Sequence, residues 1–200
     1  MNKNIKIFTK IYETKKWGEI NGKGTSGNGS SIEVTGTEYN PFIKNFIKEN
    51  NIRTVVDLGC GDWQSSNEIY RNLDINYYGY DAYKKIIDIN QKKYSRFNFI
   101  HQDIQKLDKI KNGDLCILKD ILQHWKTNDI YNFMDKMINS KKYKFILICN
   151  CEKQEYDDQD IKRTGKFRGL SHKYLPLKKY NPKLLLRFNG KELLLIKCVN

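Results

Sequence analysis

The sequence predicts an α/β fold, a mostly parallel sheet of seven strands with helices on both faces and an antiparallel hairpin at its C-terminal end. Three observations lead there. Thr54, Val55 and Val56 make an apolar, β-branched run that ends at Asp57 and passes into Gly59-Cys60-Gly61, a strand followed by a glycine turn. Further apolar runs recur downstream, separated by stretches with helical spacing. The chain then closes on two apolar runs joined by Asn189-Gly190, a pair suited to a tight type I′ turn. Two hundred residues suit one domain, 1–200, with a sizeable core.

Residues 1–20 are weakly patterned, with room for a short helix. From Trp17 to Ser31 the chain is too rich in glycine for helix or strand. It reads either as a flexible linker or as a loop folded over the ligand crevice. The loop is preferred, because a linker seldom stands ahead of a core with no domain before it, so 1–39 is set apart as an N-terminal covering segment. Asn40 and Pro41 open a helix as cap and first residue, and Phe42, Ile43, Phe46 and Ile47 give it an apolar face. The first strand covers 53–57, and a helix runs through about 63–72. Asn76 to Asp81 is the second strand, followed by a helix over 83–93. Phe97 to Ile104 is the third strand and its tip. Asp114 to Leu118 is the fourth, delivering Lys119 and Asp120 to the carboxyl edge of the sheet. Thr127 or Asn128 caps a helix whose inner face is Ile130, Phe133, Met134 and Met137. Lys144 to Cys149 is the fifth strand, with Asn150 at its tip. A core of 40–151 is thereby complete. Residues 152–182 are polar, irregular and too long for a connector, which marks a lid or substrate loop. Residues 183–200 carry the hairpin.

Composition narrows the class. With 39% hydrophobic and 30% charged residues the chain reads as soluble and globular. No apolar run is long enough for a membrane span, and the N-terminus lacks the apolar core of a signal peptide. Five cysteines without a paired C-x-x-C argue against zinc and for reduced thiols in a cytoplasmic setting. The formal net charge of +13 admits a nucleic-acid or other anionic partner. The lysines are scattered, however, and no dense basic block appears, so nucleic acid is not favoured.

The glycine turn selects the ligand. A dinucleotide site has G-x-G-x-x-G, with amides facing a pyrophosphate. Here the third glycine is replaced by Gln64, and Asp57 and Asp62 stand at the two ends. Those carboxylates repel a pyrophosphate and suit a ligand carrying an ammonium group. Asp81 lies about twenty residues beyond, where open α/β folds place a carboxylate for ribose hydroxyls. It also fits as a cap for the following helix, and the two roles can coexist. Asp103 is placed to accept from an adenine amino group, with Ile104 against the ring.

Several blocks together resemble one family. Ser26-Gly27-Asn28-Gly29-Ser30, the run 55–64 (VVDLGCGDWQ), the run 119–125 (KDILQHW), Asn150-Cys151, the pattern DI..G.FR at 160–168 and Asn189-Gly190-Lys191-Glu192 are similar to class I S-adenosylmethionine-dependent methyltransferases. Within that class they resemble a bacterial group associated with polysaccharide gene clusters, over about 17–197. The resemblance implies a Rossmann-like sheet, S-adenosylmethionine as cofactor and S-adenosylhomocysteine as its product. It implies that Asp57, Gly59, Gly61 and Asp62 hold the methionine part, with Cys60, Ala82 and Lys119 in the same site. Asp81 would hold the ribose, and Asp103 with Ile104 the adenine. Trp63 would pack beside the cofactor, though a large aromatic fits the core equally well. The family has proline after Phe-Arg, whereas here Gly169 follows Arg168.

Methyl transfer to a sugar hydroxyl needs a base. His124 fits near neutral pH, with Asp120 orienting it or taking the proton itself. The plainer reading of His124 is a helix-start histidine packed on Trp125. Trp125, Asn150, Arg168 and His172 are the candidate acceptor contacts, with Lys173 nearby, and Arg168 offers a fork of donors. Oxygen ligands at Asp120 and Asn150 also suit Mg²⁺, but no third carboxylate is evident and the metal is not favoured. The expected activity is O-methylation of a sugar in a glycan or nucleotide-sugar, in polysaccharide biosynthesis. The alternatives are nucleic-acid methylation and a non-catalytic cofactor-binding subunit. The lack of an Asn-Pro-Pro-Tyr type tip after the fourth strand argues against methylation of a base amino group.

Overall fold

Val55, Val56 and Leu58 are completely buried, as a strand covered on both faces requires. In the computed structural model, which describes residues 3–198, they lie on a seven-stranded, mostly parallel sheet that turns antiparallel at its C-terminal end. This is the α/β class that the sequence predicts. The chain divides into two compact units, Met1–Lys106 and Leu107–Asn200. No helix among the described residues is long and apolar enough to cross a membrane.

The first unit opens with helix α1 (Lys3–Glu13). A two-stranded hairpin follows, β1 (Glu19–Ile20) paired with β2 (Lys23–Gly24), where the glycine content had argued against any strand. Each strand is only two residues long, too short for periodicity to register. Short helix α2 (Ile32–Thr35) leads to α3 (Tyr39–Glu49). Helix α3 starts one residue before the expected cap, so Asn40 lies inside the first turn and Pro41 after it. The proline is tolerated there because first-turn amides have no helical acceptor. Asn40 Oδ1 instead accepts from Ser65 Oγ at 2.9 Å. Strand β3 (Thr54–Leu58) pairs in parallel with β4 (Asn76–Asp81), and β4 with β5 (Asn98–His101). Helices α4 (Gln64–Tyr70) and α5 (Lys84–Lys93) connect them.

Trp63 follows the core alternative of the two readings its sequence context left open. It is 1% exposed, with ring centroids 4.6 Å from Tyr94, 4.8 Å from Phe97 and 5.3 Å from both Tyr77 and Phe99. Five aromatic rings thus form the apolar floor of this unit, and Trp63 belongs to the core rather than to a cofactor wall. Its φ of 58° turns the side chain down at the exit of the glycine turn.

The second unit carries β6 (Gly113–Lys119) parallel to β7 (Tyr143–Cys151), joined by α6 (Thr127–Asn139). Strands β8 (Lys183–Phe188) and β9 (Lys191–Lys197) form the terminal hairpin, and β9 inserts between β7 and β8. Asn189 and Gly190 have φ of 46° and 70°, the left-handed pair that a type I′ turn needs. The first turn of α6 is not capped by Thr127 or Asn128. Asp160 from the long irregular segment accepts the Thr127 N–H instead, at 3.0 Å. Local sequence cannot reveal a cap supplied from 33 residues away.

Removing the ring at the centre of the aromatic floor leaves a large cavity. Trp63→Ala is expected to lower stability by about 3–5 kcal/mol, read as a lower denaturant midpoint in chemical unfolding.

Candidate functional site

Strand β3 delivers the glycine turn, and its amides are all used within the protein. Gly59 N and Cys60 N donate to Tyr80 O at 2.7 and 3.0 Å. Gly61 N donates to Asp81 Oδ2 at 3.1 Å, and Asp62 N to Ser26 Oγ at 2.8 Å. No amide from 59 to 62 is left to cradle a phosphate, and Asp57, Asp62 and Asp81 surround the turn with negative charge. A pyrophosphate fits this donor set poorly. A nucleoside bearing a cationic group, with hydroxyls to donate, fits it well.

The turn is also clamped from outside. Ser26 N donates back to Asp62 Oδ2 at 3.0 Å, and Ser26 Oγ lies 3.0 Å from Tyr12 OH. A Cβ at Gly61 would run into Ser26 Oγ, and its φ of +58° disfavours any side chain. Asn90, 1% exposed, holds the Gly61 carbonyl at 2.7 Å from α5. Tyr12 stacks on Tyr83 at 4.7 Å. Tyr12 and Asn90 were not singled out from the sequence. Their partners are remote in the chain, and neither residue type points to a site by itself.

Asp57 is buried and accepts the Tyr77 hydroxyl at 2.7 Å. Asp81 accepts from Gly61 N and from Tyr83 N at 2.8 Å, so it binds the glycine turn and the start of α5 together. Burial pushes its carboxyl up to about 6, although these backbone donors pull the other way. Burial, reinforced by Asp81 and Asp57, keeps the Cys60 thiol protonated and inert. Ala82 O pairs with His101 Nε2 at 3.0 Å. Asp103 and Ile104 are buried, and Asn4 Nδ2 from α1 lies 3.4 Å from each Asp103 carboxylate oxygen.

In the second unit, β6 ends at Lys119 and Asp120, and Asp120 takes a left-handed φ of 57°. Its carboxylate accepts from Lys119 Nζ at 2.7 Å, from Gln123 Nε2 at 3.2 Å and from Lys191 Nζ. Burial opposes its ionisation, but Lys119 and Lys191 outweigh burial and hold its pKa below the usual carboxylate value. Asp120 is therefore a weak base. It is not the hydrogen-bond partner of His124 Nδ1 either, since that nitrogen meets the Lys166 carbonyl at 3.0 Å. Two ammonium groups already neutralise Asp120, so the Mg²⁺ alternative at Asp120 and Asn150 does not fit. Among the described residues no group of three His, Cys, Asp or Glu side chains is placed to hold a metal.

His124 lies on the short 3-10 turn Leu122–His124. A carbonyl only accepts, so Nδ1 carries the proton and the neutral ring keeps its lone pair on Nε2. Burial lowers the His124 pKa, partly opposed by the bond to Lys166. The 3-10 turn is pinned by Gln123, whose Oε1 accepts from Cys151 N at 3.0 Å.

The other predicted contacts separate. Trp125 is 2% exposed and packs edge-on against Phe133, which places it in the core. His172 is tied to Glu192, with Nδ1 at 2.9 Å and its backbone N at 3.0 Å, and Arg187 holds the other Glu192 oxygen. That network anchors the irregular segment to β9 rather than presenting His172 to an acceptor. Asn150 is completely buried, and neither atom of its amide has a hydrogen-bond partner. Arg168 is buried and paired with Asp160 at 2.8 Å. Lys173 lies in the same segment, donating its backbone N–H to Ser171 Oγ at 3.3 Å. A Cβ at Gly169 would strike the Lys153 backbone, which accounts for glycine at this place.

Residues 55–143 match a family model described as a methyltransferase domain. Among solved structures, the methyltransferase domain of bacterial CtHen1 is similar at 13% identity and a TM-score of 0.63, covering 81% of this chain and 98% of that one. The N-methyltransferase NodS from Bradyrhizobium japonicum, in complex with S-adenosylhomocysteine, matches at 11% identity and a TM-score of 0.60 over 80% of this chain and 85% of its own. The N-terminal domain of EvdMO1, also with S-adenosylhomocysteine bound, covers 90% of both chains at 10% identity and a TM-score of 0.59. At such identities the likeness is one of fold. No curated protein matches the sequence.

The Asp81 pKa yields a test. Its folded value of about 6 lies above the ordinary 3.8, so the folded chain binds more protons than the unfolded one between these values. This group's contribution to stability is full below the lower value and is lost as pH rises through the upper one. Carbon NMR of labelled aspartate should show a carboxyl titrating near pH 6 that disappears in Asp81→Asn.

Proposed function

We propose that this chain is an S-adenosylmethionine-dependent methyltransferase that methylates a sugar hydroxyl with His124 as the general base. The match of residues 55–143 to a methyltransferase-domain model and the fold support the first part of this reading. The cofactor supplies an electrophilic methyl group on a sulfonium centre. The rest is the work of the chain.

In the first unit Asp81 accepts from the ribose hydroxyls, and Asp103 from the adenine amino group beside Ile104. The carboxylates of Asp57 and Asp62 and the turn at Gly59, Cys60 and Gly61 receive the charged methionine end, beside Ala82. The amide pattern of that turn supports this reading, since its remaining chemistry is anionic. The N-terminal segment, over its described residues 3–39, covers this site through Ser26 and Tyr12. In the second unit residues 152–182 form the acceptor loop.

One observation carries the choice of a hydroxyl acceptor. His124 is buried, its Nδ1 lies 3.0 Å from the Lys166 carbonyl, and its pKa is depressed by burial, so at neutral pH the ring is neutral with Nε2 as its basic nitrogen, the form a general base for a hydroxyl needs. Asp120 acts as the anchor that Lys119, Lys191 and Gln123 share, holding the turn that presents His124. A polysaccharide setting is supported by the resemblance of the motif blocks. The net charge of +13 favours a second reading, methylation of a nucleic acid. A steep salt dependence of RNA or DNA binding would support it.

His124→Gln is expected to lower kcat by about 10²–10⁴-fold with cofactor affinity unchanged, measured with labelled cofactor and a panel of sugars, nucleotide-sugars and RNAs. The working form of His124 is neutral. Activity is therefore lost as pH falls through a value below the ordinary 6.5, and that acid limb vanishes in the variant.

A further inference from the structure

Arg168 has more hydrogen-bonding capacity than its surroundings use. It is 5% exposed, and Nη1 donates to Asp160 Oδ1 at 2.8 Å. That same oxygen accepts the backbone N–H groups of Thr127 and Ile161 at 3.0 and 2.7 Å, so three donors share it. Nε and Nη2 are buried without a hydrogen-bond partner. These two atoms are not a random pair. In a guanidinium, Nε–H and Nη2–H run parallel along one edge, the edge that grips two oxygens of a carboxylate or phosphate. A buried charged group with a whole edge unfilled is costly, and such groups call for an explanation.

The location gives one. Arg168 N donates to Gln123 O at 3.2 Å, and Gly165 N to His124 O at 2.8 Å. Lys166 O receives the His124 Nδ1 proton. The stretch 165–168 therefore runs along the turn that carries the residue read above as the base, with the Arg168 backbone tied to the neighbouring Gln123 and its guanidinium to Asp160. We propose that the Nε/Nη2 edge of Arg168 is a bidentate subsite for a carboxylate or phosphate carried by the acceptor. This rests on the reading of His124 as base and narrows the substrate class to anionic sugars. Asp160 already balances the charge through Nη1, so the two parallel donors decide the choice: a neutral hydroxyl has one acceptor oxygen and fills only half the edge. Both nitrogens are closed off from solvent, so the segment carrying Arg168 has to shift to admit the group.

The test is calorimetry on the full chain saturated with S-adenosylhomocysteine, titrated with glucuronate, glucose 6-phosphate and glucose. At least one of the two anions should bind on the order of tenfold or more tighter than glucose, and the better of the two names the group. Arg168→Met should lose roughly tenfold to a hundredfold of that anion affinity, with the affinities for glucose and S-adenosylhomocysteine unchanged. Arg168→Lys keeps the charge but not the fork and should recover only a small part. It also serves as the comparison if the Met variant melts early. Equal binding of glucose and both anions, or anion binding indifferent to both substitutions, overturns the proposal. So does a loss of S-adenosylhomocysteine affinity, which would assign the edge to the cofactor's own carboxylate. The sugar reading fails in a different way, by anion binding that depends on Arg168 without methyl transfer to any sugar, and that outcome leaves the subsite standing.

Discussion

The backbone amides from Gly59 to Asp62 are each bonded to an acceptor inside the protein, and this constraint governs the first unit of the molecule. Tyr80 O takes two of them, Asp81 the third and Ser26 the fourth. A glycine turn at a strand end is usually a place where amides meet phosphate. Here that capacity is used up locally, and the groups around the turn are carboxylates. The shape of the turn is thereby fixed before any ligand arrives, and its electrostatics favour a cation. Asp81 sits at the centre of this arrangement. It closes the turn, starts α5, and has a pKa raised by burial to about 6, so hydroxyl donors from a ligand would favour its ionised form.

The second unit holds another buried carboxylate with the opposite setting. Asp120 lies among Lys119, Lys191 and Gln123 and is held ionised. Gln123 passes that anchoring on to Cys151 and so fixes the short turn that carries His124. The two carboxylates thus differ in environment and in role. One is desolvated and titrates upward, while the other is charge-paired and titrates downward. Burial sets the charge of the first acid, and lysine partners set that of the second.

The parts legible in the sequence were those with local causes. The β-branched run at 54–56, the Asn189-Gly190 turn and the amphipathic stretch at 127–139 each declare their structure within a few residues, and the sheet follows from them. The position of a candidate was legible where residue type and place in the αβ unit coincide, as for Asp81 at the end of β4 and His124 just after β6. Contacts were not legible where the partner is far away in the chain. The Ser26–Asp62 clamp spans 36 residues and the Lys191–Asp120 pair 71, and neither leaves a periodic trace. For Trp63 and Trp125 the direction of packing was not legible, for a related reason. An aromatic beside a motif can pack inward or outward, and the choice depends on rings such as Tyr94, Phe97 and Phe133 that only the tertiary fold assembles.

The central claim is that the carboxylate-lined turn takes a cationic sulfonium nucleoside or its demethylated product and not a pyrophosphate. Isothermal titration of the purified chain with S-adenosylmethionine, S-adenosylhomocysteine and a nicotinamide dinucleotide tests it most directly. The account predicts saturable binding of the first two and no heat of binding from the third. Saturable binding of the dinucleotide with no response to either sulfur nucleoside would contradict it.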